Sequence, residues 1–295
     1  MTMNLLTYNA NLHVFYKTNH HGVDCFHTVF VTDFPYQRPV IFRRDNAAQG
    51  LGDRFTDDSG NRVGTLPKNF LPRHPFDHGN FEGRDEKMLP WPRDPEMVRK
   101  NLAVYYAVIS HMDEQIGRIL DVLDKTGQTK DTLVIFTSDH GLALGSHGLM
   151  GKQNMYEHTI RVPLVIAGPG LPSGKQNNAL CYLRDLYPTI CDLVGLPMPE
   201  SVEGRSLKPV IKGDLDSVYS EIYGYFRDKQ RMVRDKRWKL IHYLHLDRYQ
   251  LFDLLEDPHE QNDLVRDDRY NRIFITLKKK LTRKTKDWEV AAKSP

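Results

Sequence analysis

Apolar positions along the chain fall into three regimes. From Tyr105 through Val108, Ile109, Met112, Ile116, Ile119 and Leu120 to Leu123 they recur every three or four residues, the spacing of one face of an amphipathic helix. Asp94 is a good N-cap, Pro95 fits the first helical position, and Gly127 marks the stop, so a long helix is expected between them. Short unbroken apolar runs then take over. Leu133 to Phe136 and Pro163 to Ala167 read as strands buried on both faces, the second ending at Gly168-Pro169-Gly170. A second helix is expected from near Asp185 through Leu186, Ile190 and Val194 to Gly195. Helix alternating with doubly buried strand predicts an α/β fold, for which a doubly wound parallel sheet is the natural architecture.

After Pro209 the period drops to two, in Val218 to Tyr223, Gln230 to Arg234, Trp238 to Tyr243 and Tyr249 to Asp253, which predicts a small antiparallel sheet. A closing helix follows, with Ile273, Phe274, Leu277 and Leu281 on one side. Lys278, Lys279, Lys280, Arg283, Lys284 and Lys286 surround that stripe, and their face reads as solvated. Ahead of the first helix, prolines at 67, 72, 75, 90, 92 and 95 forbid regular helix and predict an extended connection over a surface or cleft. The expected organisation is an atypical segment without a motif at 1–65, an α/β part at 66–209, and an α+β subdomain at 210–295.

Composition narrows the class without naming a chemistry. With 295 residues, 27% charged and 40% hydrophobic, the chain is neither collagen-like nor wholly disordered. A net charge of +3 argues against a dedicated nucleic-acid binder. Cys25, Cys181 and Cys191 are too few and too dispersed for a disulfide scaffold, and they leave the compartment open. No apolar run reaches the 18 or so residues of a membrane span, and Met1 to Asn11 lacks the pattern of an export signal. His20, His21, Cys25 and His27 are metal-capable, but without a defined tetrahedral set they read as surface residues.

The informative segment is Thr137-Ser138-Asp139-His140-Gly141, directly after the first buried run. In open α/β sheets ligands collect at the carboxyl ends of strands. Asp139 and His140 there suit a divalent cation, or equally an aspartate-capped loop with a hydrogen-bonded histidine. The loop that follows carries Gly145, Gly148 and Gly151 and then Lys152, a cation that can bind a tetrahedral anion or remain a surface lysine.

Taken together, Ser138-Asp139-His140-Gly141, Gly145-Ser146-His147-Gly148, Gly151-Lys152 with Tyr156-Glu157, and Arg161-Val162-Pro163-Leu164 resemble the second half of the sulfatases of the alkaline-phosphatase-like superfamily. The resemblance runs from about Leu66 to about Trp288 and takes in Asp185-Leu186-Tyr187-Pro188-Thr189, Glu203-Gly204-Arg205-Ser206-Leu207 and Leu251-Phe252-Asp253-Leu254. It implies part of an α/β/α sandwich with a small C-terminal antiparallel sheet plus helix. It also implies hydrolysis of a sulfate ester or sulfamate on a sulfated small molecule or glycan, with Ca2+ and a formylglycine nucleophile made from Cys or Ser. Carried over residue by residue, Asp139 and His140 would be metal ligands, Lys152 would bind the sulfate, and His147 would lie beside the substrate. Glu157 and Arg161 would hold the loop in place.

The chain also departs from the family pattern. The nucleophile motif is Cys or Ser-x-Pro-x-Arg, and no Cys or Ser here has Pro at the second and Arg at the fourth place after it. Metal-binding aspartates are expected at the end of a first strand, yet the early pair Asp57-Asp58 follows no buried run. The expectation is therefore the C-terminal part of a sulfatase, holding half of the metal and sulfate site and inactive alone. Two rivals stand beside it: a non-catalytic homologue that binds sulfated glycan or a partner, and a phosphatase or phosphonate hydrolase of the same superfamily. The family's members are commonly periplasmic, extracellular or lysosomal, and the sequence leaves the compartment undecided.

Overall fold

A computed structural model of the chain describes residues 65–291, together with the backbone of three short strands, β1 (Thr7–Asn9), β2 (Leu12–His13) and β3 (Phe15–Tyr16). His20, His21, Cys25, His27 and the Asp57-Asp58 pair lie outside the described residues. Helix α1 (Pro95–Lys125) begins as its sequence dictates: Asp94 accepts a hydrogen bond from the Met97 amide at 2.8 Å, Pro95 occupies the first turn, and Gly127 takes a φ of +68° past the end.

Strand β4 (Leu133–Thr137) is buried throughout, and its alternate side chains face two layers. Val134 and Phe136 pack with Ile116, Leu120 and Leu123 of α1. Leu133 and Ile135 pack with Leu186 and Ile190 of α3 (Leu186–Val194) and Ile211 of α4 (Lys208–Lys212). Helix, sheet and helix therefore form the three layers expected of an α/β/α sandwich. The apolar face predicted for α1 is wider than its contact, since Val108, Met112 and Ile119 remain exposed.

The strand directions depart from a doubly wound parallel sheet. Strand β5 (Leu164–Ala167) runs antiparallel to β4, with Val134 opposite Ala167 and Thr137 opposite Leu164. A parallel pair needs a crossover that carries the chain back along the sheet. The connection here contains one short helix, α2 (Glu157–Ile160), and returns at the end where it left. It therefore stays over the carboxyl end of β4. Strand β2 pairs parallel to β5, β3 antiparallel to β4, and β1 antiparallel to β6 (Leu180–Tyr182).

Strands β7 (Ile222–Phe226), β8 (Gln230–Arg234), β9 (Trp238–Tyr243) and β10 (Arg248–Asp253) form the expected antiparallel sheet in the order β10-β9-β8-β7. The first strand starts four residues later than its apolar pattern suggests. Ser217 explains the delay, because its hydroxyl donates to the Tyr219 carbonyl at 2.7 Å and accepts from the Leu180 amide at 3.3 Å, which ties that stretch down beside β6. One face of the sheet packs on α5 (Asn271–Ala291) through Val233, Leu240 and Leu251 against Leu277 and Leu281. The other face, with Met232, Ile241, Tyr243 and Phe252, packs against Leu149, Met155, Tyr156 and Ile160 of the long connection. That connection is thus clamped between the two parts of the molecule. None of the described helices is long and apolar enough to cross a membrane.

Candidate functional site

Asp139 and His140 lie side by side just past β4, as their position in the sequence requires, with the Asp139 side chain 70% exposed. One Asp139 oxygen accepts from the His140 amide at 3.0 Å, and the other lies 3.1 Å from His140 Nε2. His140 Nδ1 lies 3.1 Å from the Gly141 carbonyl, so each ring nitrogen faces an acceptor oxygen. Gly141 is required here on space alone: its amide bonds to the Thr159 carbonyl at 2.9 Å, and a Cβ would fall 2.0 Å from the His158 carbonyl oxygen.

The loop beyond Gly141 folds back as a narrow ladder. The amides of Ala143 and Gly145 bond to the carbonyls of Gly151 and Leu149, at 3.1 and 2.7 Å. Continuing that register sets Lys152 opposite Leu142, five residues past the end of β4. A buried pair fixes the return. The Glu86 carboxylate accepts the amides of Met150 and Gly151 at 3.0 and 2.8 Å and is clasped by Arg93 at 2.5 Å, with both side chains 1% exposed. Arg93 also donates to the Gly148 carbonyl at 3.0 Å, and the Trp91 indole reaches the same oxygen at 3.1 Å. Burial raises the Glu86 carboxyl above its ordinary range, against the two amides and Arg93, which favour the charged form. A Cβ on Gly151 would meet Glu86 at 2.8 Å, so the glycine before the lysine lets the strut close.

Among the described residues the Lys152 ammonium makes no ion pair. Its charge acts on Asp85, whose carboxyl burial would raise but which hydrogen bonds from Arg84 and Gln153, with the charges of Arg84 and Lys152, hold below its usual range. Asp85, Glu86 and Arg93 were invisible as site residues in the sequence because they lie 60 or so residues upstream in the proline-rich connection. A buried Glu and Arg around a Pro-x-Pro-Arg turn is the one signal that could have found them.

His147 is placed differently from an open substrate neighbour. It is 6% exposed, takes a φ of +52°, and stacks on the Tyr156 ring at 3.8 Å. Its Nε2 accepts from Asn69 at 3.0 Å, and its amide bonds to the Asn69 carbonyl at 2.8 Å. Burial, then the charges of His158, His74 and Lys239, keep its pKa well below the ordinary value, so the ring is neutral and supports the loop from beneath. His74, His78 and His158 gather around it and Tyr156, and burial brings their pKa values down to about 4, 3 and 3. Both ring nitrogens of His78 and of His158 are shut off from solvent with no hydrogen-bond partner among the described residues.

Glu157 anchors the far end of the loop. Arg234 binds it at 2.7 Å and Lys239 at 3.0 Å, and Lys239 also reaches Glu260 at 2.8 Å. Against burial, the charges of Arg234, Lys239 and Arg161 hold the Glu157 carboxyl well below its usual range. The loop is thus pinned to β8 and β9 of the small sheet.

Among the described residues, Asp139 and His140 are the two side chains that meet at the end of β4 where a calcium shell was expected. Calcium takes six to eight oxygen ligands. At the end of β4 one carboxylate converges with one imidazole, and no group of three or more His, Cys, Asp or Glu among the described residues could hold a metal. His140, moreover, turns both nitrogens toward oxygens already in place.

Comparison with known proteins bears on this geometry. The family model described as Sulfatase matches residues 14–196, and that described as N-sulphoglucosamine sulphohydrolase, C-terminal, matches residues 145–287. The first match reaches about fifty residues upstream of the segment whose motifs carried the resemblance. A choline-sulfatase of Rhizobium meliloti is 38% identical over 181 residues, covering 59% of this chain and 35% of the relative. A solved structure of a protein in complex with its substrate D-glucosamine-2-N,6-O-disulfate is 28% identical with a TM-score of 0.59, covering 67% of this chain and 43% of that one. The phosphonate monoester hydrolase of Agrobacterium radiobacter is 29% identical with a TM-score of 0.58, covering 64% and 42%. The chain thus spans about two fifths or less of the length of these relatives.

Proposed function

The chain belongs to the sulfatase family of the alkaline-phosphatase-like superfamily, and from that premise we propose that it carries the Lys152 half of a site for a sulfate ester or sulfamate on a sugar or other small molecule. The observation that supports the reading is the buried Glu86–Arg93 pair, which holds the backbone of Met150 and Gly151 and so fixes the chain immediately before Lys152. A lysine so placed binds a tetrahedral oxyanion as a point charge and stabilises the charge that grows on its oxygens as the S–O bond breaks. Asp139 and His140 are the described residues that would contribute to a calcium shell, and no step is assigned to an ion that so few ligands would hold. A sulfated amino sugar as substrate is supported by the structural relative bound to D-glucosamine-2-N,6-O-disulfate and by the match to the N-sulphoglucosamine sulphohydrolase C-terminal model.

The nucleophile is the term this sequence does not contain, since no Cys or Ser stands in a Cys or Ser-x-Pro-x-Arg pattern. Removing a nucleophile abolishes nearly all rate while leaving binding. The proposal is accordingly one of binding competence. Sodium sulfate titrated calorimetrically should bind the parent chain and bind Lys152→Ala at least about tenfold more weakly. Equal affinities would remove the lysine from the site.

A second reading is favoured by one observation, the structural likeness to a phosphonate monoester hydrolase at a TM-score of 0.58. A phosphonate or phosphate monoester presents the same tetrahedral oxygens to Lys152. Phenylphosphonate binding more tightly than phenyl sulfate in the same titration would move the assignment to that branch.

A further inference from the structure

Helix α5 carries seven cations, Arg272, Lys278, Lys279, Lys280, Arg283, Lys284 and Lys286, against two acids, Asp287 and Glu289, a balance of +5. The whole chain sums to +3, so everything outside this helix sums to −2. One helix thus holds more positive charge than the molecule as a whole. The sequence reads its face as solvated, but the structure divides the cations into two sets. Three are committed to the body of the protein: Lys280 pairs with Glu221, Lys278 lies 4.6 Å from the centre of the Tyr249 ring, and Lys284 lies 6.0 Å from that of Trp288. Arg272, Lys279, Arg283 and Lys286 are exposed, and none of these four makes an ion pair among the described residues.

At 3.6 residues per turn those four fall on one line along the helix, opposite the buried Leu277 and Leu281, over a length of about 21 Å. The neighbouring acids do not neutralise it. Glu221 is taken by Lys280 and by the Tyr223 hydroxyl at 2.7 Å, Asp267 by Arg269 at 2.5 Å, and Asp247 lies 3.1 Å from His242. Asp268 and Asp287 stand at the two ends of the line, Glu289 lies beyond it in the sequence, and no acid stands between Asp268 and Asp287. A row of unpaired like charges raises the local concentration of anions, and a row of this length suits a polymer rather than a single ion.

The surroundings of the row select the polymer. Surface helices that enter a bilayer do so with a free apolar side, whereas the apolar side of α5 is packed on Val233, Leu240 and Leu251, which leaves Ile275 as its one large apolar side chain exposed among the described residues. Single-stranded nucleic acid is held by aromatic rings set among the cations, yet Trp288 is occupied by Lys284 and by Tyr225, 5.1 Å between ring centres. A duplex calls for a broad basic surface, and outside α5 the chain is net negative. We propose that the outward face of α5 is a docking surface for a sulfated polysaccharide, whose successive sulfate groups lie against Arg272, Lys279, Arg283 and Lys286. The choice of a sulfated chain rests on the sulfatase-family reading of the protein, and the surface itself shares no residue with the loop that carries Lys152. Arginine offers sulfate a paired donor set and lysine a point charge, so the row holds the polymer without fixing its register.

The test titrates the full chain with chondroitin sulfate, and with the same polymer after chemical desulfation, at about 0.15 M salt, where charges farther apart than about 8 Å are screened. The parent and Lys152→Ala are expected to bind the sulfated polymer equally. Combining Arg272→Gln, Lys279→Gln, Arg283→Gln and Lys286→Gln should weaken binding at least about tenfold, and desulfation of the polymer should do the same. A control that removes charge elsewhere, Lys100→Gln with Lys125→Gln, Lys130→Gln and Lys175→Gln, should bind as the parent does. All eight positions are exposed, and circular dichroism checks that each variant is folded. Binding unchanged in the α5 variant, an equal loss in the control, or desulfated polymer binding as tightly would each overturn the inference. So would duplex DNA or phosphatidylserine vesicles binding more tightly than the sulfated polymer through the same four residues. Loss of polymer binding in Lys152→Ala alone would also overturn it, while supporting the Lys152 reading. Polymer binding that depends on α5, in a chain whose affinity for sodium sulfate is indifferent to Lys152→Ala, would remove that reading and leave this one standing.

Discussion

Glu86 performs three tasks with one carboxylate: it satisfies two loop amides, pairs with Arg93, and fills the space that Gly151 leaves open. Removing its charge while keeping its shape isolates the electrostatic task. In Glu86→Gln the Arg93 guanidinium stays buried without its counter-charge, and breaking such a buried pair costs about 3–5 kcal/mol. Urea unfolding followed by circular dichroism should show a loss in that range, and a loss under about 1 kcal/mol would mean that the pair is not the strut described here. The buried histidines make a second prediction at this scale. With His74, His78 and His158 held at about 4, 3 and 3, they are neutral in the folded chain, and the unfolded chain takes up their protons as pH falls below about 6.5. Their contribution is fully present above pH 6.5 and is lost as pH drops toward 4, at up to about 1.4 kcal/mol per histidine per pH unit. The melting temperature should fall by about 5 °C or more between pH 7 and pH 5, and His78→Phe should flatten the slope. A melting temperature constant across that range would show that these rings titrate normally.

At the scale of elements, what was legible depended on whether the signal was local. Helix α1 was readable to its caps because Asp94, Pro95 and Gly127 are adjacent in sequence to the apolar repeat they bound. Burial of β4 on both faces followed from an unbroken run of apolar residues. The antiparallel course of β5 did not, because strand direction is set by how the connection closes, and that closure rests on Gly141 meeting Thr159 and on Glu157 meeting β8 and β9. The site divides in the same way. Asp139, His140 and Lys152 were singled out as candidates by type, spacing and resemblance, whereas Glu86, Arg93 and Asn69 act through contacts 55 to 78 residues distant that no spacing encodes. His147 was legible as a candidate, but its packing on Tyr156 depends on the small sheet beneath. The end of β4 also carries its own prediction. One exposed carboxylate and one inward-turned imidazole leave most of a calcium shell unfilled, so calorimetry at micromolar calcium should register little heat. Tight one-to-one binding that disappears in Asp139→Ala would show that the remaining ligands come from elsewhere in the chain.

At the scale of the whole molecule, the connection between β4 and β5 is the part on which everything else bears. The proline-rich stretch grips it through Asn69, Glu86 and Arg93, the small sheet grips it through Glu157 and Tyr156, and α1 reaches it through Val98 beside Gly145. Three separate regions of sequence thus converge on the loop that carries Lys152, and under the proposed function a backbone fixed in this way is what electrostatic stabilisation of a transition state would use. The proposed function is one of binding without turnover, because Lys152 is present while the Cys or Ser-x-Pro-x-Arg motif is not in the sequence. The assay that bears most directly on this is release of 4-nitrophenol from 4-nitrophenyl sulfate by the purified chain with calcium, run beside Lys152→Ala and Asp139→Ala. The expected result is no release above the buffer rate in any of the three. Turnover by the parent that both substitutions abolish would contradict the account and require a nucleophile among residues to which no such role is given.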